Sequence, residues 1–314
     1  MDRVYMTFDP PGPAADLLRA HFEVEVWTGP GFAPPAALAA HLAGADGLYC
    51  TLTTSVDDAV LDLAPNLRVV SQFAVGVDNI DLDACRSRGI AVGHTPDVLT
   101  ETTADTAWGL LIAGSRRFEE GIDHVRTGEW GDFAIDLFLG GDLHHTTLGI
   151  IGMGRIGEAI ARRASGFEME VLFTRRGTDP SPLGTRVGLD ELLARSDHVV
   201  VAAPLTGETR GLIGETALRR MRPTAGLVNI ARGPIVDTDA LVRALTEGWI
   251  RYAALDVTDP EPLAPEHPLV GLPNCLVIPH LGSSSTRTRE RMGTLAAENL
   301  IAGLTGQPMP ARIA

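Results

Sequence analysis

Three short polar segments hold the residues of this chain best suited to chemistry: Arg232 in NIARGPIVD, Glu261 in LDVTDPEP and His280 in IPHLGSSS. A guanidinium can grip a carboxylate through two parallel hydrogen bonds and polarise the carbonyl next to it. An imidazolium can hand its proton to an oxygen that is gaining charge. A carboxylate beside the ring favours its charged form, which keeps that proton available in the reducing direction. The three together would suit reduction of a 2-oxoacid. Each segment follows an apolar, β-branched run that reads as a buried strand, and in a doubly wound sheet the carboxyl ends of the strands converge. Arg232, Glu261 and His280 are therefore expected to be neighbours in space. Singly, each type also occurs as a solvated loop residue, so the reading rests on the set.

Such a reduction needs a carrier of electrons, and GIIGMGRIGEAIARRA offers a place for one. Its glycines follow the strand-like run TLGII and open a helix. Gly152 would permit the tight turn, Gly154 the approach of backbone to a pyrophosphate, and Gly157 close packing of helix on strand. The free N–H groups of Arg155 and Ile156 at the helix start would face the phosphates. Seventeen residues lie between Gly157 and Arg175, at the end of the next strand, where an NAD enzyme keeps an acid for the ribose hydroxyls. Here the run is Thr174, Arg175, Arg176. An acid would repel a 2′-phosphate; two guanidinium groups and a hydroxyl invert that sign and favour NADPH, with NADH still possible. The alternative is two solvated surface arginines.

Elements to position these residues are legible along most of the chain. VYMTF, VEVW, GLYC, RVVS and IAV precede residue 95; TLGII, EVLFT, HVVVAA, GLVNI, YAALDV and CLVIP follow it. Helix-length segments alternate with them, which predicts an α/β fold of two doubly wound parallel-sheet domains. A Rossmann nucleotide-binding domain, residues 99–285, is expected as an insert in a flavodoxin-like substrate domain, residues 1–98 and 286–314. One long amphipathic helix is expected from Thr102 to Arg126, and a terminal helix ended by Gly303 or Gly306.

The 314 residues, 45% hydrophobic and 21% charged, suit two globular domains. A net charge of −14 disfavours nucleic acid and anionic membrane as partners. There is no leader-like N-terminus and no long apolar run, so a soluble cytoplasmic protein is expected. Cys50, Cys85 and Cys275 are read as buried thiols and no metal site is expected; His144 and His145 are read as loop residues.

In order along the chain, SQFAVGVDNIDLDACRSRGIAVGHTP, LTETTADTAWGLLI, DLHHTTLGIIGMGRIG, APLTGETRGLIG, NIARGPIVD and IPHLGSSS resemble the D-2-hydroxyacid dehydrogenase superfamily. The branch they are most similar to is that of the NADPH-linked glyoxylate/hydroxypyruvate reductases, including those that reduce 2-ketogluconate. The resemblance implies Arg232 as the substrate arginine, His280 as proton donor and Glu261 as its partner. It implies backbone N–H groups of Val75 and Gly76 on the substrate carboxylate, with Leu52 and Thr53 lining the same pocket. It further implies Asp256 at the nicotinamide carboxamide, with Thr103, Ala203, Pro204, Thr209, Ile230 and Ala231 bordering the cofactor, and a homodimer with Trp108 at its seam. Two positions depart from many relatives. Thr258 stands where Phe is common and is expected to loosen packing beside Asp256; Phe133 stands where Trp is common, which bears on substrate size. Other readings are a dehydrogenase for D-lactate or a bulkier 2-hydroxyacid, and a nucleotide-sensing binding protein without catalysis.

Overall fold

The expected strands form, with one addition, two all-parallel sheets in a computed structural model that describes residues 1–314. The chain divides into two units, Met1–Leu99 with Ser284–Ala314, and Thr100–Ser283. In the first unit the strands are β1 (Arg3–Met6), β2 (Glu23–Val26), β3 (Gly47–Cys50), β4 (Val69–Gln72) and β5 (Ala91–Gly93). Their order across the sheet is β2-β1-β3-β4-β5, the flavodoxin-like order. Every residue of β3 and β4 is buried, the polar Ser71 and Gln72 included, which is why neither stretch shows the alternation of a half-solvated strand. Helices α1 (Ala14–Arg19), α2 (Pro35–Leu42), α3 (Asp58–Asp62) and α4 (Leu82–Ser87) cross between the strands.

In the second unit α5 (Thr100–Ser115) and α6 (Phe118–Arg126) precede a seven-stranded sheet. Its strands are β6 (Thr147–Ile151), β7 (Glu170–Thr174), β8 (Thr185–Arg186), β9 (His198–Val201), β10 (Gly226–Asn229), β11 (Tyr252–Leu255) and β12 (Cys275–Val277). They lie in the order β8-β7-β6-β9-β10-β11-β12. The direction of winding therefore switches between β6 and β9, where open α/β sheets bind ligands. Helices α7 (Arg155–Ala164), α8 (Leu189–Arg195), α9 (Glu215–Arg220), α10 (Thr238–Thr246) and α11 (Pro268–Gly271) complete the unit. Apolar clusters cover both faces of the sheet, one built on α5 and α7 and one on α8 to α10. The final helix, α12 (Thr286–Leu304), packs on β3, β4 and β5 of the first unit. No helix is long and apolar enough to cross a membrane.

The structure corrects several expectations. The single helix over Thr102–Arg126 is two helices, because Arg117 takes a left-handed backbone, φ 55°. The carbonyl of Ser115 at the end of α5 accepts from the Gly141 N–H at 2.9 Å, and the Arg117 guanidinium closes on Glu120 with two 2.6 Å bonds. Trp108 is not at a seam: it is 5% exposed, stacks on Phe167 with ring centres 4.5 Å apart and donates to the Ile160 carbonyl. The two-residue β8 has no apolar pattern and was not expected. Of the two glycines proposed to end α12, Gly306 has the left-handed φ of 72°.

Candidate active site

The carboxyl ends of β10, β11 and β12 are in register: Asn229 pairs with Leu255, and Leu255 with Val277. Arg232 follows the first of these strands, Asp256 and Glu261 the second, and His280 the third. The loops bring His280 Nδ1 to 2.6 Å from Glu261 Oε1. A carboxylate only accepts, so Nδ1 carries hydrogen and Nε2 is left to exchange a proton with a ligand. Burial alone would raise the Glu261 carboxyl; the hydrogen bond and charge of His280, the Thr258 N–H at 3.3 Å and the charge of Arg232 outweigh it, and the group sits below the usual glutamate range. The guanidinium of Arg232 is thus within electrostatic reach of the His–Glu pair.

The supporting loops are tied down locally. His280 has a left-handed φ of 52°, and its N–H donates to the carbonyls of Asp256 and Ile278 at 2.9 and 3.0 Å. Strain of this kind persists only where surroundings impose it, and it is concentrated at functional sites. Asp256 is 2% exposed; its carboxylate accepts from Leu281 N–H at 2.5 Å and Gly282 N–H at 2.9 Å, holding the turn beyond His280. Burial pushes its carboxyl above the usual aspartate value, opposed by those amides and the His280 charge. Thr103 is buried beside Gly282. Asn229 bridges the Arg232 loop, accepting from Ala231 N–H at 3.0 Å and donating to the Arg232 carbonyl at 2.9 Å. Thr258 does not loosen this region. It is 8% exposed, its N–H reaches Glu261 and its hydroxyl donates to the Pro260 carbonyl at 2.8 Å. A Cβ on Gly233 would run into the Thr258 carbonyl, so the β10 and β11 loops meet backbone to backbone.

At the switch point the glycine loop has the form a dinucleotide needs. Gly152 is left-handed, φ 103°, and a Cβ there would lie 2.5 Å from the Ala203 nitrogen; a Cβ on Gly157 would strike the Gly152 carbonyl. Above Gly154 nothing lies within 4 Å of a built Cβ. Helix α7 has no side-chain cap, whereas α3, α4, α10 and α12 each have an Asp or Ser cap accepting from their first turn. An open cradle leading into the N-terminus of α7, at Arg155 and Ile156, fits a pyrophosphate. Ala203 and Ile230 are buried and Ala231 half-buried nearby on the β9 and β10 ends, and Thr209 closes the loop after β9 by donating to the Pro204 carbonyl at 2.7 Å. At the end of β7, Thr174 is half-buried. Arg175 is turned onto backbone, donating to the carbonyls of Met153, Asp179 and Pro180 at 3.0, 2.7 and 3.3 Å. Arg176 projects outward, 73% exposed, 3.8 Å from Glu208.

The first unit places Leu52 and Thr53 in the turn after β3, and Val75 and Gly76 in the turn after β4. The carbonyls of Ala74, Val75 and Gly76 accept from Thr95 N–H at 2.9 Å, His94 Nδ1 at 3.0 Å and Gln72 Nε2 at 3.3 Å. In a trans peptide the N–H points opposite to the carbonyl, so the N–H groups of Val75 and Gly76 face away from these partners, and neither has an acceptor within the unit. Gln72, His94 and Asn79, which links the two turns by donating to the Thr54 carbonyl at 2.6 Å, were not anticipated.

Residues 108–282 match the family described as D-isomer specific 2-hydroxyacid dehydrogenase, NAD binding domain. The chain is 46% identical to the glyoxylate reductase of Thermococcus gammatolerans over 316 aligned positions, 98% of this chain and 94% of that one. A crystal structure of a Thermus thermophilus protein superposes with a TM-score of 0.95 at 47% identity, covering 99% of this chain and all of the other. An NADPH-dependent glyoxylate/hydroxypyruvate reductase from Sinorhizobium meliloti, solved with NADP and malonate, gives 0.88 at 31% identity over 100% and 97% of the two chains. With that match over more than half its length and those identities end to end, the chain belongs to the D-isomer specific 2-hydroxyacid dehydrogenase family.

Proposed function

We propose that this chain reduces small 2-oxoacids to D-2-hydroxyacids, with glyoxylate and hydroxypyruvate as substrates, 2-ketogluconate as a further candidate, and NADPH preferred to NADH. The observation that carries the reading is the 2.6 Å bond from His280 to Glu261 on register-matched strand ends that also present Arg232. The names borne by relatives at 46% and 31% identity support the same substrates. When bound, the nicotinamide supplies a hydride to the carbonyl carbon. Arg232 grips the carboxylate and polarises the carbonyl oxygen. His280 gives that oxygen the proton on Nε2 while Glu261, on Nδ1, fixes the ring and balances its charge. The outward N–H groups of Val75 and Gly76 suit the substrate carboxylate, with Leu52 and Thr53 beside them. Asp256, Thr103, Ala203, Pro204, Thr209, Ile230 and Ala231 are assigned to the cofactor's borders, and the exposed Arg176, with Thr174 and Arg175, to its 2′-phosphate.

The protein is further read as a cytoplasmic homodimer. Its three cysteines are buried and unpaired, as suits a reducing compartment. The apolar side of α6, Phe118, Ile122 and Val125, faces solvent where a second copy would cover it. Steady-state assays of glyoxylate, hydroxypyruvate and 2-ketogluconate, each with NADPH and NADH, test the reading. Oxidation of NADPH with at least one oxoacid is expected; no turnover with any of the three refutes it.

A further inference from the structure

The N–H of Gly76 belongs to the same peptide unit as the Val75 carbonyl, and that carbonyl accepts from His94 Nδ1 at 3.0 Å. We propose that His94 is a positioning residue for substrate: by holding the Val75 carbonyl inward, its ring turns the Gly76 N–H toward the carboxylate of the 2-oxoacid. The inference rests on the reductase reading of the Val75 and Gly76 amides. Because a carbonyl can only accept, the bond requires hydrogen on Nδ1.

The ring is placed by the C-terminal segment. His94 N–H donates to the Ala311 carbonyl at 3.0 Å, and the His94 carbonyl accepts from Asn299 Nδ2 at 2.9 Å. Asn299, fully buried on α12, in turn accepts from Ala311 N–H at 2.9 Å. The end of β5 is thus held from both sides, and the ring reaches Val75 from a fixed base. The neighbouring clamps differ in kind. Thr95 holds the Ala74 carbonyl through its backbone, beyond the reach of a side-chain change. Gln72 also donates to Asn79 at 2.7 Å and accepts from Cys50 at 3.2 Å, so its replacement would disturb the core. His94 is half-buried and serves the turn alone, which makes it the clamp that a substitution can remove selectively.

Freed from its partner, the Val75–Gly76 peptide plane can rotate and take one carboxylate donor out of line. A charge-assisted hydrogen bond lost in this way corresponds to about a tenfold change in binding. The test compares His94→Ala and His94→Phe, which lack a donor, with His94→Asn, whose side-chain amide stands where Nδ1 stands. Oxoacid KM is expected to rise about tenfold in the donor-less pair and to return to within about threefold of wild type in the Asn variant, with nicotinamide KM nearly constant. An unchanged oxoacid KM in either donor-less variant, an Asn variant no better than Ala, or nicotinamide KM rising in step would overturn the proposal. So would loss of cofactor binding in both donor-less variants, which would assign the ring to folding. If wild type reduces no 2-oxoacid, the functional reading fails first and this inference with it; an active wild type with indifferent His94 variants sinks the inference alone.

Discussion

At the scale of single residues, the proposal depends on one proton and one pair of charges. His280 is the group whose Nε2 is left to act once Glu261 has taken Nδ1. Its replacement by Ala is expected to lower kcat by roughly 10²- to 10⁴-fold while leaving nicotinamide affinity nearly unchanged, measured by steady-state rates and by quenching of protein fluorescence. Survival of activity would mean that another acid supplies the proton. The arginines after β7 divide their work. Arg175 holds three backbone carbonyls, so its loss would also slacken the loop, whereas Arg176 has only a distant contact with Glu208. Arg176→Ala is therefore the sharper test: KM for NADPH should rise about tenfold, as for one charge-assisted bond, with KM for NADH little changed. An equal rise for both would remove the phosphate-binding role. Arg232, Glu261 and His280 could be picked out beforehand because a distinctive polar type follows each buried run. His94 could not, because its side-chain partner is a backbone carbonyl, and a bond to a carbonyl leaves no mark in the identity of the residue that accepts it.

At the scale of elements, the parallel strands were legible because burial on both faces demands continuous apolar sequence, and the strand ends then fix where polar residues emerge. The break between α5 and α6 was not: the left-handed residue is Arg117, neither Gly nor Pro, and the N–H that caps the end of α5, from Gly141, is distant in sequence. One strand contains an exception with a measurable consequence. His198 opens β9 and is 4% exposed. Its Nε2 lies 3.2 Å from the Asp142 carbonyl, which can only accept, so Nε2 carries hydrogen and Nδ1 accepts from the Tyr252 hydroxyl at 3.1 Å. Burial, the largest influence, lowers the pKa of this ring below the ordinary histidine value of 6.5. The unfolded chain then binds a proton that the folded chain refuses. This contribution is constant above pH 6.5; as pH falls through that value stability drops, until the depressed folded pKa is reached. Each unit of depression is worth about 1.4 kcal/mol. Urea midpoints of wild type should decline more steeply on acidification from neutrality than those of His198→Gln, and parallel slopes would show that the ring does not titrate with folding.

For the whole molecule, charge and apolar surface oppose each other. A chain with net charge −14 repels its own copies, yet eight of its fourteen exposed large apolar side chains fall between Phe118 and Leu139. Phe133 and Ile135 are 85% and 86% exposed, and no residue of α6 is buried. Patches of this concentration mark contact surfaces, and in the homodimer proposed above a second copy would cover this one. α6 carries the acid Glu119 in its first turn and Arg126 in its last, so two copies packed antiparallel about a twofold axis would set each charged end against its opposite. Burial of the apolar side would drive association, and repulsion between the net charges would resist it. Since the Debye length falls from about 30 Å at 0.01 M salt to about 3 Å at 1 M, added salt should screen the repulsion between net charges, and the paired helix ends with it, while leaving the apolar contact in force. Sedimentation velocity is expected to show twice the 33.3 kDa chain mass, with dissociation favoured at low salt. Ile122→Glu with Val125→Glu should produce the single-chain mass at every salt concentration, because both charges would enter the seam without partners. A wild-type chain that sediments as a monomer at micromolar concentration in high salt would leave the α6 surface without the partner assigned to it.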